Sequence, residues 1–301
     1  MRNLFMILAT ICLAGLAPNM AAQDLDITEI ASAKAAYDES QTDARRAALL
    51  LALDNYQGDA TVETVNAHLI VMTHDTVAGR YADIRESAMA AAHHLEPVKE
   101  IIPQQYIESK FVAATALFNG DADPEAMREM THVQGFAKQF RSADGEHPDW
   151  AVGLRWKAEA WVMAMDSFFE SERDKHPSSD ELDAILDTYP VTGDRPESPP
   201  ETVSALPFCD GRIRQSPKMR YPGNAAEDGV VGAVIVAFDL DADGKVINPK
   251  VRAAIPNDAF EDTILKTISK WSYRADKRKE VGVTCRIERT NVVMPFTFLL
   301  K

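Results

Sequence analysis

From Ile27 to about Tyr189 the apolar positions recur at spacings of three and four: Ile30, Ala33, Ala36 and Tyr37, then Ala47, Leu50, Leu51 and Leu53. Val62, Val65, Leu69 and Met72 continue the pattern, as do Val112, Ala116 and Leu117. This period winds one apolar stripe along each segment and predicts helices, and the many alanines favour them further. Gly58, Gly79, Gly120 and the Gly145–Pro148 stretch are the expected breaks. Gly79 and Gly120 each follow an apolar helix end and stand 41 residues apart, the length of one helical hairpin in a solenoid. A third hairpin is expected from Pro124 to Glu172, with Trp150, Trp156, Trp161, Phe168 and Phe169 on its second helix as packed core or, as the alternative, as the lining of a groove for a partner peptide.

After Pro190, Pro196, Pro199 and Pro200, a composition suited to an extended linker, the period drops to two. Val230, Gly232, Val234, Val236, Phe238 and Leu240 alternate with Val231, Ala233, Ile235 and Ala237, a strand apolar on both sides and therefore central. Asp241-Ala242-Asp243-Gly244 predicts a hairpin turn, and Val246–Ile255 a more polar returning strand. Asn257 or Asp258 is the expected cap of a helix carrying Phe260, Ile264, Ile268 and Trp271 on one face. Val292, Met294, Phe296, Phe298 and Leu300 alternate as a last strand. The expected fold class is α+β. An all-helical domain at 23–189 is joined by a linker at 190–204 to a small β-β-α-β domain at 205–301, in which one helix packs on one face of the sheet.

Arg2 followed by the apolar run Leu4–Leu16 and the small residues Ala21 and Ala22 has the order of an export signal, with cleavage expected after Ala22. The run is shorter than the roughly 20 residues of a membrane span, so membrane contact is expected only if the segment is retained. Export directs the mature chain to the periplasm. There the remaining cysteines, Cys209 and Cys285, read first as a disulfide and second as two buried thiols. Residues 1–202 hold 16 basic and 34 acidic side chains, and residues 203–301 hold 16 and 12. The acidic front excludes nucleic acid as a partner.

The helical unit resembles a degenerate tetratricopeptide-like hairpin without that family's Trp-Leu-Gly-Tyr spacing; an ordinary helical bundle accounts for the same pattern. The resemblance beyond the linker is longer. Tyr221, Pro222, Ala225, Gly229, Gly232, Val234, Val236 and Phe238, then Asp243-Gly244, Val246, Val251, Pro256, Phe260, Trp271, Tyr273 and Phe296-Thr297-Phe298, follow in order the pattern of the TonB C-terminal domain. Members of that family link the energised inner membrane to outer-membrane receptors and capture an extended receptor segment at the edge of the sheet. The resemblance implies that the capturing edge is the last strand, with Thr290, Asn291, Val292, Val293, Met294, Phe296, Thr297, Phe298 and Leu299 meeting the partner. Pro295 agrees with an edge position, since proline has no donor for a central ladder. An edge covered by the chain itself or by a second copy is the alternative.

The expected partner is thus an outer-membrane receptor or another envelope protein, in support of transport across that membrane, with a homodimer as a further possibility. An energy transducer with a retained anchor and a self-associating envelope scaffold are the competing readings, because a signal-like segment and an acidic helical domain stand where the family has a spanning helix and a long proline-rich spacer. Asp239-x-Asp241-x-Asp243-Gly244 begins like a calcium loop, but the twelfth position is Lys250, so a turn is expected instead. The seven histidines have no metal-binding spacing, and no nucleophile elbow or phosphate loop is present. These residues point to a binding protein without an enzymatic site, metal, cofactor or small-molecule substrate.

Overall fold

A computed structural model describes residues 27–142, 145–170, 176–189, 209, 211–227, 230–256, 258–275 and 285–298. The export segment 1–22, the linker 190–204, Gly229, Asn257, Leu299 and Leu300 lie outside the described residues. Two compact units emerge, one of residues 1–137 with 177–185, the other of residues 138–176 with 186–301.

The first unit contains helices α1 (Thr28–Glu39), α2 (Asp43–Asn55), α3 (Val62–Ala78), α4 (Tyr81–Leu95), α5 (Pro103–Asp121) and α6 (Glu125–Gln139), the last running just past the division, and most of α8 (Ser179–Asp187). Thr61 starts α3 with a reciprocal capping box to Thr64, and left-handed Gly79 ends it, at a φ of 73° where glycine carries no steric penalty. Gly120, expected as a break, lies inside α5; the helix ends two residues later at left-handed Ala122, ahead of Pro124. A methyl group on Gly120 would come within 3.4 Å of the Tyr81 Cβ, so this glycine admits the close approach of α4 to α5. Beneath α2, α3 and α4, buried Arg46 grips Asp75 through two hydrogen bonds of 2.8 and 2.9 Å and reaches Glu86 at 2.9 Å.

His68 and His94 meet between α3 and α4 with ring centroids 4.7 Å apart and planes tilted by 32°, and His94 Nε2 meets the Thr64 hydroxyl at 2.7 Å. Burial, then the neighbouring His94, pushes the His68 imidazole down to about 3. Burial also lowers His94. Both rings are therefore folded in as neutral groups, whereas the unfolded chain takes up protons near the ordinary value of 6.5. Stability from His68 should be complete above pH 6.5 and decline as pH falls from there towards about 3. Chemical unfolding at pH 7.5 and pH 5.0 should show the parent losing about 2 kcal/mol more than His68→Gln across that interval. Equal losses in the two proteins would remove His68 as the source.

The second unit contains α7 (Asp149–Phe169), β1 (Gly211–Gln215), α9 (Gly223–Glu227), β2 (Gly232–Leu240), β3 (Val246–Ile255), α10 (Glu261–Ile268), β4 (Ser272–Ala275) and β5 (Arg289–Phe298). Strands β3-β2-β5 form an antiparallel sheet with β2 central, and β1 and β4 form a separate two-stranded ribbon. On one face Val234, Val236, Phe238 and Leu240 pack with Phe260, Ile264 and Ile268 of the α10 region. Trp271 joins this core from just beyond the helix, not from within it. The start of α10 is closed by the Glu261 carboxylate, which accepts from the Asp258 and Phe260 N–H groups at 2.7 and 3.1 Å.

The expected fold places one helix on one face of the sheet and names no cover for the other. Ala233, Ile235 and Ala237 are instead 0–1% exposed there, and α7 packs against β3, β2 and β5. The aromatic helix expected inside a solenoid therefore belongs to the sheet unit, and the compact units do not divide at the proline-rich segment. A strand apolar on both sides needs two covers, and α7 provides the second.

Candidate partner-binding edge

The site begins at the turn after β2. Asp241 Oδ1 accepts from the Asp243 and Lys245 N–H groups at 3.0 and 2.8 Å, and Gly244 takes a φ of 76°. The carboxylate that the calcium-like pattern brought forward is thus occupied in shaping the turn. Asp239, two residues earlier, accepts from the Asn248 side chain at 3.0 Å and from the Asn291 N–H at 2.8 Å. Asn248 and Asn291 both have positive φ and both lie in register shifts, one on each outer strand. These two hydrogen bonds, led by that from Asn248, lower the Asp239 carboxyl below the ordinary range. Asp239 therefore pins a bulge in each outer strand at the same end of the sheet, a role that the sequence pattern did not single out.

The bulges divide the two edges unequally. β3 shifts register twice and carries Pro249, Lys250 and Arg252, features that blunt an edge. β5 shifts only at its start, so Thr290 and Asn291 lie in the bulge, and Val292 through Phe298 then pair in unbroken register with Phe238 through Gly232. Val292, Met294, Phe296 and Phe298 turn to the α10 core, whereas Val293, Pro295 and Thr297 are exposed on the opposite face. The candidate residues are thus brought onto one strand but split between two faces, and Leu299 lies outside the described residues.

Aromatic contacts hold this strand on its core side. Phe298 stacks on Phe260 at 4.1 Å, and Tyr221 stands edge-on to both, at 5.8 and 5.6 Å. The Tyr221 hydroxyl donates to the Val230 carbonyl, across the turn that contains Pro222 and buried Ala225. Trp271 meets Phe296 edge-on at 5.6 Å, and its indole N–H has no acceptor among the described residues. Gly232 faces Phe298 in register, directly against the Ile255 carbonyl. At the other end a disulfide joins Cys209 to Cys285, the Cys209 N–H donates to the Arg286 carbonyl at 2.8 Å, and the Arg289 guanidinium donates to the Cys209 carbonyl. The free-thiol alternative is thereby removed, and the entry to β5 is tied to the chain before β1.

Residues 217–293 match the family model described as the Gram-negative bacterial TonB protein C-terminal. They form a TonB-type C-terminal domain. Protein TonB of Yersinia enterocolitica is 30% identical over 112 residues, which cover 37% of this chain and 42% of that protein. Protein TonB of Klebsiella pneumoniae is 30% identical over 101 residues, 34% of this chain and 40% of that protein. Protein TonB of Klebsiella aerogenes is 37% identical over 68 residues, 23% and 28% of the two chains. The alignments therefore span less than half of each relative. The matched segment includes α9, β2, β3, α10, β4 and the first half of β5, while helices α1–α8 and strand β1 lie outside it. Among the described residues no helix is long and apolar enough to cross a membrane.

Proposed function

We propose that the TonB-type domain acts by binding alone, capturing an extended segment of an outer-membrane receptor or another envelope protein along the outer edge of β5. The observation that carries this reading is the uninterrupted register of Val292–Phe298 at the edge of the sheet, against the twice-bulged opposite edge. Added strands gain affinity from backbone hydrogen bonds and selectivity from alternate side chains. Proline is tolerated where its missing N–H would face away from the neighbouring strand. With Pro295 so placed, Val293 and Thr297, two residues to either side, are the outward donors for a partner. The disulfide supports residence in an oxidising compartment, the periplasm reached through export. The helices of the first unit act as a stack of hairpins that binds or positions a second envelope component.

Titration calorimetry of the exported protein with receptor N-terminal peptides tests this reading. Val293→Pro with Thr297→Pro should weaken binding on the order of tenfold or more, because two backbone bonds of about 1 kcal/mol each are lost. The thermal midpoint should stay near that of the parent, since outward-facing donors take no part in the ladder to β2. Unchanged affinity would exclude the β5 edge. Pairing of two copies through β5 would instead appear as a dimer that the same substitutions dissociate.

A further inference from the structure

The β1–β4 ribbon lies outside the capture edge, and its chemistry differs from that of β5. Register places Arg212 of β1 directly opposite Arg274 of β4, and Arg214 is the extra residue where that register shifts. All three side chains are exposed, as are Lys218 and Arg220 on the segment leaving β1. Residues 211–226 include these four basic side chains and no aspartate or glutamate. Among the described residues no ion pair engages Arg214, Arg274, Lys218 or Arg220. With no ion pair on these four groups, the basic cluster gains from an anion placed over it.

We propose that this ribbon is a second docking surface, for an acidic peptide segment in extended conformation with carboxylates at alternate positions. Alternate residues of an extended chain repeat at about 6.7 Å and point to one face, so every second side chain of such a peptide can be turned to the ribbon. A guanidinium can take each carboxylate through two parallel hydrogen bonds. Charge also selects a narrow ligand over a broad anionic surface. The chain as a whole carries −14, which opposes approach to an anionic membrane, whereas one strand lying on the ribbon stays within about one Debye length of the arginines.

The test uses the full exported protein and a fluorescein-labelled dodecapeptide alternating glutamate with threonine, followed by anisotropy. Binding should weaken steeply as salt is raised, and Arg214→Gln with Arg274→Gln should weaken it by about tenfold or more. Val293→Pro with Thr297→Pro should leave it unchanged, which separates this site from capture at β5. Three results would overturn the proposal: equal binding of a lysine–threonine peptide, insensitivity to the arginine substitutions, or loss on altering β5. Binding to phosphatidylglycerol vesicles without binding to the peptide would likewise overturn it, in favour of a lipid surface.

Discussion

Gly232→Ala should unfold the sheet unit under conditions where the parent remains folded. A methyl group at this position would lie 2.1 Å from the Ile255 carbonyl oxygen and 2.5 Å from Cε2 of fully buried Phe260. The first neighbour is backbone in the adjacent strand, and the second is locked between Tyr221 and Phe298. Neither can yield without breaking the β2–β3 ladder or the aromatic cluster. The expected loss is about 3 kcal/mol, the upper end for overpacking. All four tryptophans, Trp150, Trp156, Trp161 and Trp271, belong to the second unit, so urea unfolding followed by their fluorescence reads this unit selectively. Gly223→Ala is the control, because nothing lies within 4 Å of the added carbon. A Gly232→Ala midpoint equal to that of the control would show that β2 and β3 can separate freely.

Opening the disulfide should have a comparable effect. Cys209 and Cys285 are 76 residues apart, and constraining a loop of that length in the unfolded chain contributes about 4 kcal/mol. Cys209→Ser with Cys285→Ser, or reduction of the parent, should lower the unfolding midpoint of the second unit and leave the helices of the first unit folded. The loss should also reach the partner-binding edge. Cys285 lies shortly before β5, and Arg289 at the start of β5 donates to the Cys209 carbonyl, so the strand's entry loses its tether to β1. Peptide affinity at β5 should fall with stability, and full affinity in the reduced protein would confine the bridge to a stabilising role.

Much of the second unit was legible in its pattern. Alternation in Val230–Leu240, the Asp-Ala-Asp-Gly turn and the run ending at Phe298 led to the three strands of the main sheet in their chain order, but not to the short β1 and β4 of the ribbon. Tyr221, Gly232 and Phe298 were visible as motif residues, and the structure brings Tyr221 and Phe298 into one aromatic contact with Phe260. Trp271 was placed one turn too far along the helix, because a buried apolar residue after a helix end keeps the same spacing as one within it. Asp239 was visible only as the start of a calcium-like pattern; its role could not be read there, since it depends on two asparagines from different strands meeting at one carboxylate.

The chain's local chemistry determined which segments are helix and which are strand. Period and turn residues act over a few neighbours, so they are written in the sequence itself. Only the tertiary structure decided what α7 is for. Its alanines and aromatics suit a helical stack as well as a sheet, and the apolar second face of β2 demanded a cover without naming it. Burial of Ala233, Ile235 and Ala237 made that choice, because removal of apolar surface from water is indifferent to which segment supplies the cover. The inequality of the two sheet edges was settled at the same level, by bulges that exist only once three strands are in register.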